Sequence, residues 1–140
     1  MKITTLEGHK GSVHSLAISD KYGIIASGSW DNTIKLWSIK EKKLITTLEG
    51  HENTISSLTI SDKYGIIASG SWDSTIKLWS IEEKKLIATL EGHKGFVQSL
   101  AISDKHGILA SGAWDNTIKL WNIENKSLIT TLEGHNGSVY

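Results

Sequence analysis

The apolar residues of this chain come in short, β-branched bursts: SVHSLAIS at 12–19, GIIASGS at 23–29, TIKLWSI at 33–39 and KLITTLE at 43–49. Between them stand SDKYG, WDN and KEKK, built from the residues that favour turns. Bursts of this length with turn signals at such short spacing predict four β-strands, over residues 12–19, 23–29, 33–39 and 43–49. No apolar stripe of period 3.6 persists over ten residues, so helices are not expected. The alternation is not one-sided. By parity, Val13 and Ala17 fall on one face of the first strand, with Leu16 and Ile18 on the other. In the second strand Ile24 and Ala26 oppose Ile25. A sheet that is apolar on both faces has to be sandwiched.

The same pattern then recurs. SWDNTIKLW at 29–37 returns as SWDSTIKLW at 71–79 and AWDNTIKLW at 113–121. The repeat units are residues 9–50, 51–92 and 93–134, with partial units at 1–8 and 135–140. The second and third units each match the first at 33 of 42 positions. Units so alike must make nearly the same contacts, and the neighbours available to each apolar face are copies of itself. A self-similar period of about 40–45 residues with four strands per unit predicts the blades of a β-propeller.

The pairs Gly8-His9, Gly50-His51 and Gly92-His93, each followed by SGSWD or SGAWD and then TIKLW, and the further pair Gly134-His135 carry a family resemblance. The chain resembles the WD-repeat family over its whole length. The resemblance implies an all-β fold of four-stranded antiparallel blades. One departure is visible: Ser38, Ser80 and Asn122 follow the Leu-Trp pair where the family usually has Asp.

Charge and composition then narrow the function classes. Fifteen basic residues balance fifteen acidic ones, so no basic footprint for nucleic acid or anionic lipid is present. Cysteine is absent, which removes disulfide scaffolds, zinc ribbons and thiol nucleophiles. The longest apolar runs are far short of a membrane span, and residues 1–9 lack a signal-like apolar core. A soluble, cytoplasmic protein is expected.

Each unit also holds a His, a Ser and an Asp: His9, Ser27 and Asp31; His51, Ser69 and Asp73; His93, Ser111 and Asp115. These are the parts of a hydrolase triad. A nucleophile needs one pocket and one oxyanion hole, whereas three evenly spaced sets, each with its own Trp, indicate a task done once per unit. The resemblance supplies it: with Trp37, Trp79 and Trp121 they form buried hydrogen-bonded quartets, indole to hydroxyl to imidazole to carboxylate. No enzyme activity is expected. The six histidines form no metal-ligand spacing, and neither metal nor cofactor is expected.

Binding residues are sought where the units differ. Ser12, Thr54 and Phe96 occupy one variable position, and His14, Ser56, Gln98 and Tyr140 another. The resemblance places the link into the first strand on the top face of a propeller, where partners dock, and it places Trp30, Trp72 and Trp114 there too. Tryptophan is a favoured interface anchor. These residues make a candidate surface for a protein or peptide; the competing reading is that the Trp rings only pack on the adjacent blade. Three units fall short of the usual four to eight blades. The chain is expected to be a fragment of a larger ring, or else a unit that closes as a homo-oligomer, a dimer or a trimer.

Overall fold

The computed structural model describes residues 4–134. Twelve strands follow in chain order: β1 (Val13–Ser19), β2 (Ile24–Ser29), β3 (Ile34–Ser38), β4 (Lys43–Leu48), β5 (Ile55–Ser61), β6 (Ile66–Ser71), β7 (Ile76–Ser80), β8 (Lys85–Leu90), β9 (Val97–Ser103), β10 (Ile108–Ala113), β11 (Thr117–Asn122) and β12 (Ser127–Glu133). They form three four-stranded antiparallel sheets, β1–β4, β5–β8 and β9–β12, each in sequence order. No described residue is helical. We call the sheets blades 1, 2 and 3. Residues 4–8 form no strand, and β12 closes its own blade against β11.

Turn chemistry sets the registers. Asn32, Ser74 and Asn116 adopt φ near +70° in the β2–β3, β6–β7 and β10–β11 turns, a conformation that Asn tolerates well. The departures from the family pattern do local work as well. The Ser38 hydroxyl accepts the Glu41 N–H at 3.0 Å, Ser80 does the same for Glu83, and the Asn122 side chain takes the Asn125 N–H at 3.0 Å.

The core lies between blades. Ile24, Ala26, Ile34, Leu36 and Leu48 of blade 1 pack against Ile55, Leu58, Ile67, Trp79 and Ile81 of blade 2. The counterparts Ile66, Ala68, Ile76, Leu78 and Leu90 of blade 2 pack against Val97, Leu109, Trp121 and Ile123 of blade 3. Every blade thus has a trailing face, which receives the next blade, and a leading face, which meets the previous one. Ile24 and Ala26 oppose Ile25, as the alternation predicts. The grouping of Val13 with Ala17 is corrected. A β-bulge between Val13 and Ser15, repeated between Ile55 and Ser57, inserts one residue. The extra residue resets the parity. Ile55, Leu58 and Ile60 therefore share the leading face of blade 2, while Ala17 packs on the trailing face of blade 1.

The bulge brings Ile55 and Val97 against the backbone of the neighbouring blade. A methyl group on Gly70 would lie 2.6 Å from Val97 Cγ1, and one on Gly28 would meet Ile55. Gly70→Ala is expected to lower stability by about 1–3 kcal/mol through overpacking, seen as an earlier urea midpoint. An unchanged midpoint would show that the blades are not in contact there.

Candidate functional site

The quartets assemble from four parts of each unit. His9 comes from the link before β1, Ser27 from β2, Asp31 from the β2–β3 turn and Trp37 from β3. Ser27 lies opposite Lys35 in the ladder, so Trp37 two residues on is its diagonal neighbour on one face. Trp37 Nε1 lies 2.8 Å from Ser27 Oγ, Ser27 Oγ 2.7 Å from His9 Nε2, and His9 Nδ1 2.9 Å from Asp31 Oδ2. In blade 2 the links Trp79–Ser69, Ser69–His51 and His51–Asp73 measure 2.9, 2.7 and 2.7 Å. In blade 3 Trp121–Ser111, Ser111–His93 and His93–Asp115 measure 2.9, 2.7 and 2.8 Å.

One proton arrangement gives every link a donor. Indole N–H can only donate, so the serine oxygen accepts. The serine hydroxyl then donates to Nε2, and the neutral imidazole carries its proton on Nδ1, directed at the carboxylate. Each carboxylate takes further donors. Asp31 receives the Lys10 N–H at 2.9 Å, the Thr33 N–H at 2.9 Å and the Thr33 hydroxyl at 2.6 Å. Thr75 and Thr117 serve Asp73 and Asp115 in the same way. These threonines lie outside the quartets read from the sequence, although the D-x-T spacing of a turn is a legible signal. Burial pushes all three carboxyls up, but the hydrogen bonds from Thr, His and backbone N–H outweigh it and hold them well below the usual carboxylate range. Burial lowers the pKa of His93, and Asp115 offsets only part of that.

The Ser–His–Asp spacing matches a hydrolase triad, but the chemistry is blocked. Ser27, Ser69 and Ser111 are buried. An indole N–H occupies the serine oxygen where an electrophile would have to approach. The arrangement can transmit and fix hydrogen bonds; it cannot admit a substrate. Among the described residues no group of three His, Cys, Asp or Glu could hold a metal ion.

The second set of residues lies along the top edge, where β1 begins and β2 ends. The N–H of each residue after β2, β6 and β10 bonds back across the sheet: Trp30 to Ser12 O at 3.0 Å, Trp72 to Thr54 O at 3.1 Å and Trp114 to Phe96 O at 3.0 Å. Those bonds bring the variable positions beside the Trp rings. The result is one aromatic row across three blades. Trp30 and His14 have ring centroids 5.6 Å apart, and Trp30 Nε1 donates to His14 Nδ1 at 3.1 Å. His14 meets Trp72 at 6.3 Å, Trp72 stacks on Phe96 at 5.0 Å and 7°, and Phe96 meets Trp114 at 4.8 Å. Trp30 and Trp114 are exposed; Trp72 and Phe96 are half-buried. The rings do pack across blades, and the row still leaves indole surface open.

Not every expected binding residue joins it. Ser12 and His14 are exposed. Thr54 and Ser56 are buried, which corrects their placement on an open surface. The Ser56 hydroxyl donates to Val97 O of the next blade, so the variable position there serves the blade junction. Gln98 Oε1 is buried without a hydrogen-bond partner among the described residues, as is Trp72 Nε1. Tyr140 lies outside the described residues.

Comparison with known proteins agrees with this architecture. The family model described as "WD domain, G-beta repeat" matches residues 1–38, 42–80 and 84–122. A ribosome biogenesis protein WDR12 homolog of Oryza sativa subsp. japonica is 54% identical over 35 residues, 25% of this chain and 8% of that protein. A periodic tryptophan protein 2 homolog of Schizosaccharomyces pombe is 46% identical over 37 residues, 26% of this chain and 4% of that protein. Each match is about one repeat long, and the chain spans a small part of these relatives. Among solved structures, U3-55K superposes with a TM-score of 0.91 at 27% identity, over 95% of this chain and 42% of that one. The computationally designed Ika4 protein superposes with a TM-score of 0.89 at 36% identity, over 99% of this chain and 83% of that one.

Proposed function

Since this chain belongs to the WD-repeat family, we propose that it is a non-catalytic scaffold that binds a protein or peptide segment along its top edge, as part of a larger propeller. The observation that carries this reading is the unbroken row Trp30–His14–Trp72–Phe96–Trp114. Stacking fixes the inner rings, so a ligand meets a surface already ordered, and preorganisation favours affinity. The exposed Trp30 and Trp114 are the natural anchors. Buried serines in all three quartets support a role without catalysis. The cysteine-free composition accords with action in the cytoplasm.

Peptides selected from a random displayed library against the purified chain are expected to bind this edge. Trp30→Ser or Trp114→Ser should weaken them by about thirtyfold, the effect of losing an anchor of about 2 kcal/mol, with little change in melting temperature. Selected peptides indifferent to both changes would overturn the assignment.

A second reading has the chain closing its propeller as a homo-oligomer. The two faces at the ends of the blade stack favour it.

A further inference from the structure

The end faces are the two halves of a junction that already occurs twice inside the chain. On the leading face of blade 1, Val13 is 52% exposed, Leu16 66% and Ile39 40%. Their counterparts in blade 2, Ile55, Leu58 and Ile81, are 0%, 8% and 5% exposed. On the trailing face of blade 3, Leu132 is 47% exposed, against 4% and 5% for Leu48 and Leu90. Residue type hardly changes between blades; only the neighbour does.

Polar contacts show the same split. The Ser19 hydroxyl donates to Asp62 Oδ1 at 2.6 Å, and Ser61 to Asp104 Oδ1 at 2.6 Å. Lys21 Nζ donates to Asp62 O at 3.2 Å, and Lys63 Nζ to Asp104 O at 3.4 Å. The next pair in the series would be Ser103 and Lys105 acting on Asp20. Ser103 and Lys105 lie on the trailing face of blade 3, and Asp20 on the leading face of blade 1. The phenol of Tyr22 covers Gly65 and that of Tyr64 covers Gly107, while Gly23 has open space where a phenol would lie. The two end faces are therefore matched halves of the junction seen between the blades.

We propose that the trailing face of blade 3 docks on the leading face of blade 1 of a second copy, and that two such junctions close a six-bladed ring. This deepens the homo-oligomer reading and rests on it; it is independent of binding at the top edge. Ser103 and Lys105 of one copy meet Asp20 of the other, and His106 takes the tyrosine's place over Gly23. The contact is heterologous, so it either closes or propagates. Two copies give six blades, within the usual four to eight, whereas three give nine. Closure also displaces a stand-in. Leu6 lines a groove with Ile25 and Ile39, at the positions equivalent to Leu48, Ile67 and Ile81 in the core between blades 1 and 2. The partner's β12 takes over that position.

Light scattering on the eluting 140-residue chain is expected to give twice its 15.4 kDa. Leu16→Glu blocks the leading face and Ala101→Glu the trailing face. Both residues are exposed in the single chain, so circular dichroism should show an unchanged fold. Each variant alone should elute at single-chain mass. Mixed together, they should give the doubled mass through one intact junction, the trailing face of the Leu16→Glu chain on the leading face of the Ala101→Glu chain. The second junction sets both glutamates against each other, so this pair is an open stack of six blades and not the closed ring. A two-fold symmetric contact through either face would not be rescued by mixing. Single-chain mass for the unaltered protein, a tripled mass, doubled mass in either variant alone, or single-chain mass for the mixture would overturn the proposal. Trp30→Ser and Trp114→Ser should leave the mass unchanged, which separates a failure here from a failure of top-edge binding.

Discussion

His51→Ala is expected to lower the melting temperature by about 10 °C, and His14→Ala to leave it almost unchanged. Both remove an imidazole from the same type of fold, yet their surroundings differ. His51 is buried, with Nε2 at 2.7 Å from Ser69 Oγ and Nδ1 at 2.7 Å from Asp73 Oδ2. Its loss removes one neutral hydrogen bond, worth about 1 kcal/mol, and one to a carboxylate, worth about 1.5–3 kcal/mol. It also leaves the Ser69 hydroxyl and the Asp73 carboxylate facing a void. A total near 3 kcal/mol is expected, and for a chain of this length about 4 °C of melting temperature accompanies each kcal/mol. Ser69→Ala should be comparable, because it strands the Trp79 N–H and His51 Nε2 together. His14 is exposed and gives up one ring contact on each side and one solvent-exposed hydrogen bond from Trp30 Nε1. Thermal scans of the three variants decide the matter. Equal melting temperatures for His51→Ala and the parent chain would remove the quartets from the account of stability.

Stability is next expected to fall in two stages as the pH drops. The folded chain holds His93 below its ordinary pKa of 6.5. The unfolded chain thus takes up a proton first, and stability present above about pH 6.5 is lost as the pH falls through the lowered value. Asp31, Asp73 and Asp115 are held far below their ordinary 3.8. Their contribution is fully present above that value, and it is lost progressively below about pH 4, where only the unfolded chain binds protons. Each such carboxylate adds a slope of about 1.4 kcal/mol per pH unit. With three of them the second stage is steep, and Asp73→Asn should make it shallower by one proton's worth. Urea midpoints measured from pH 8 to pH 3 provide the test. A midpoint that stays level between pH 4.5 and pH 3 would contradict the low carboxyl pKa values and the hydrogen bonds that cause them.

Much of this molecule is visible in its residues because repetition makes a single unit informative. Strand bursts, turn residues and the recurring Trp all point to one sheet per repeat, and an apolar pattern on both faces requires neighbours. The limits are equally specific. Parity groups Val13 with Ala17, because a bulge is a backbone event that no side chain in VHS announces. Thr54 and Ser56 looked like surface residues because they vary. Both are buried; Ser56 varies within a blade junction, where it bonds a carbonyl of the next blade, and contacts between repeats do not appear in the pattern of one repeat. The Ser19–Asp62 bond was hidden for the same reason: its partners lie 43 positions apart. The aromatic row was only half legible. The Trp residues stood out, but that Phe96 fills the gap between Trp72 and Trp114 follows from the backbone bond between Trp114 N and Phe96 O.

The claim on which the rest depends is that each repeat locks its blade with an internal relay running from indole to carboxylate. Long-range proton–nitrogen correlation of the imidazoles at pH 7.5 reports which ring nitrogen carries the proton. The account predicts Nδ1–H with an accepting Nε2 in His9, His51 and His93, the reverse of the tautomer free imidazole side chains prefer. Finding the proton on Nε2 in those three residues would leave the link between Nδ1 and the carboxylate without a donor and contradict the account.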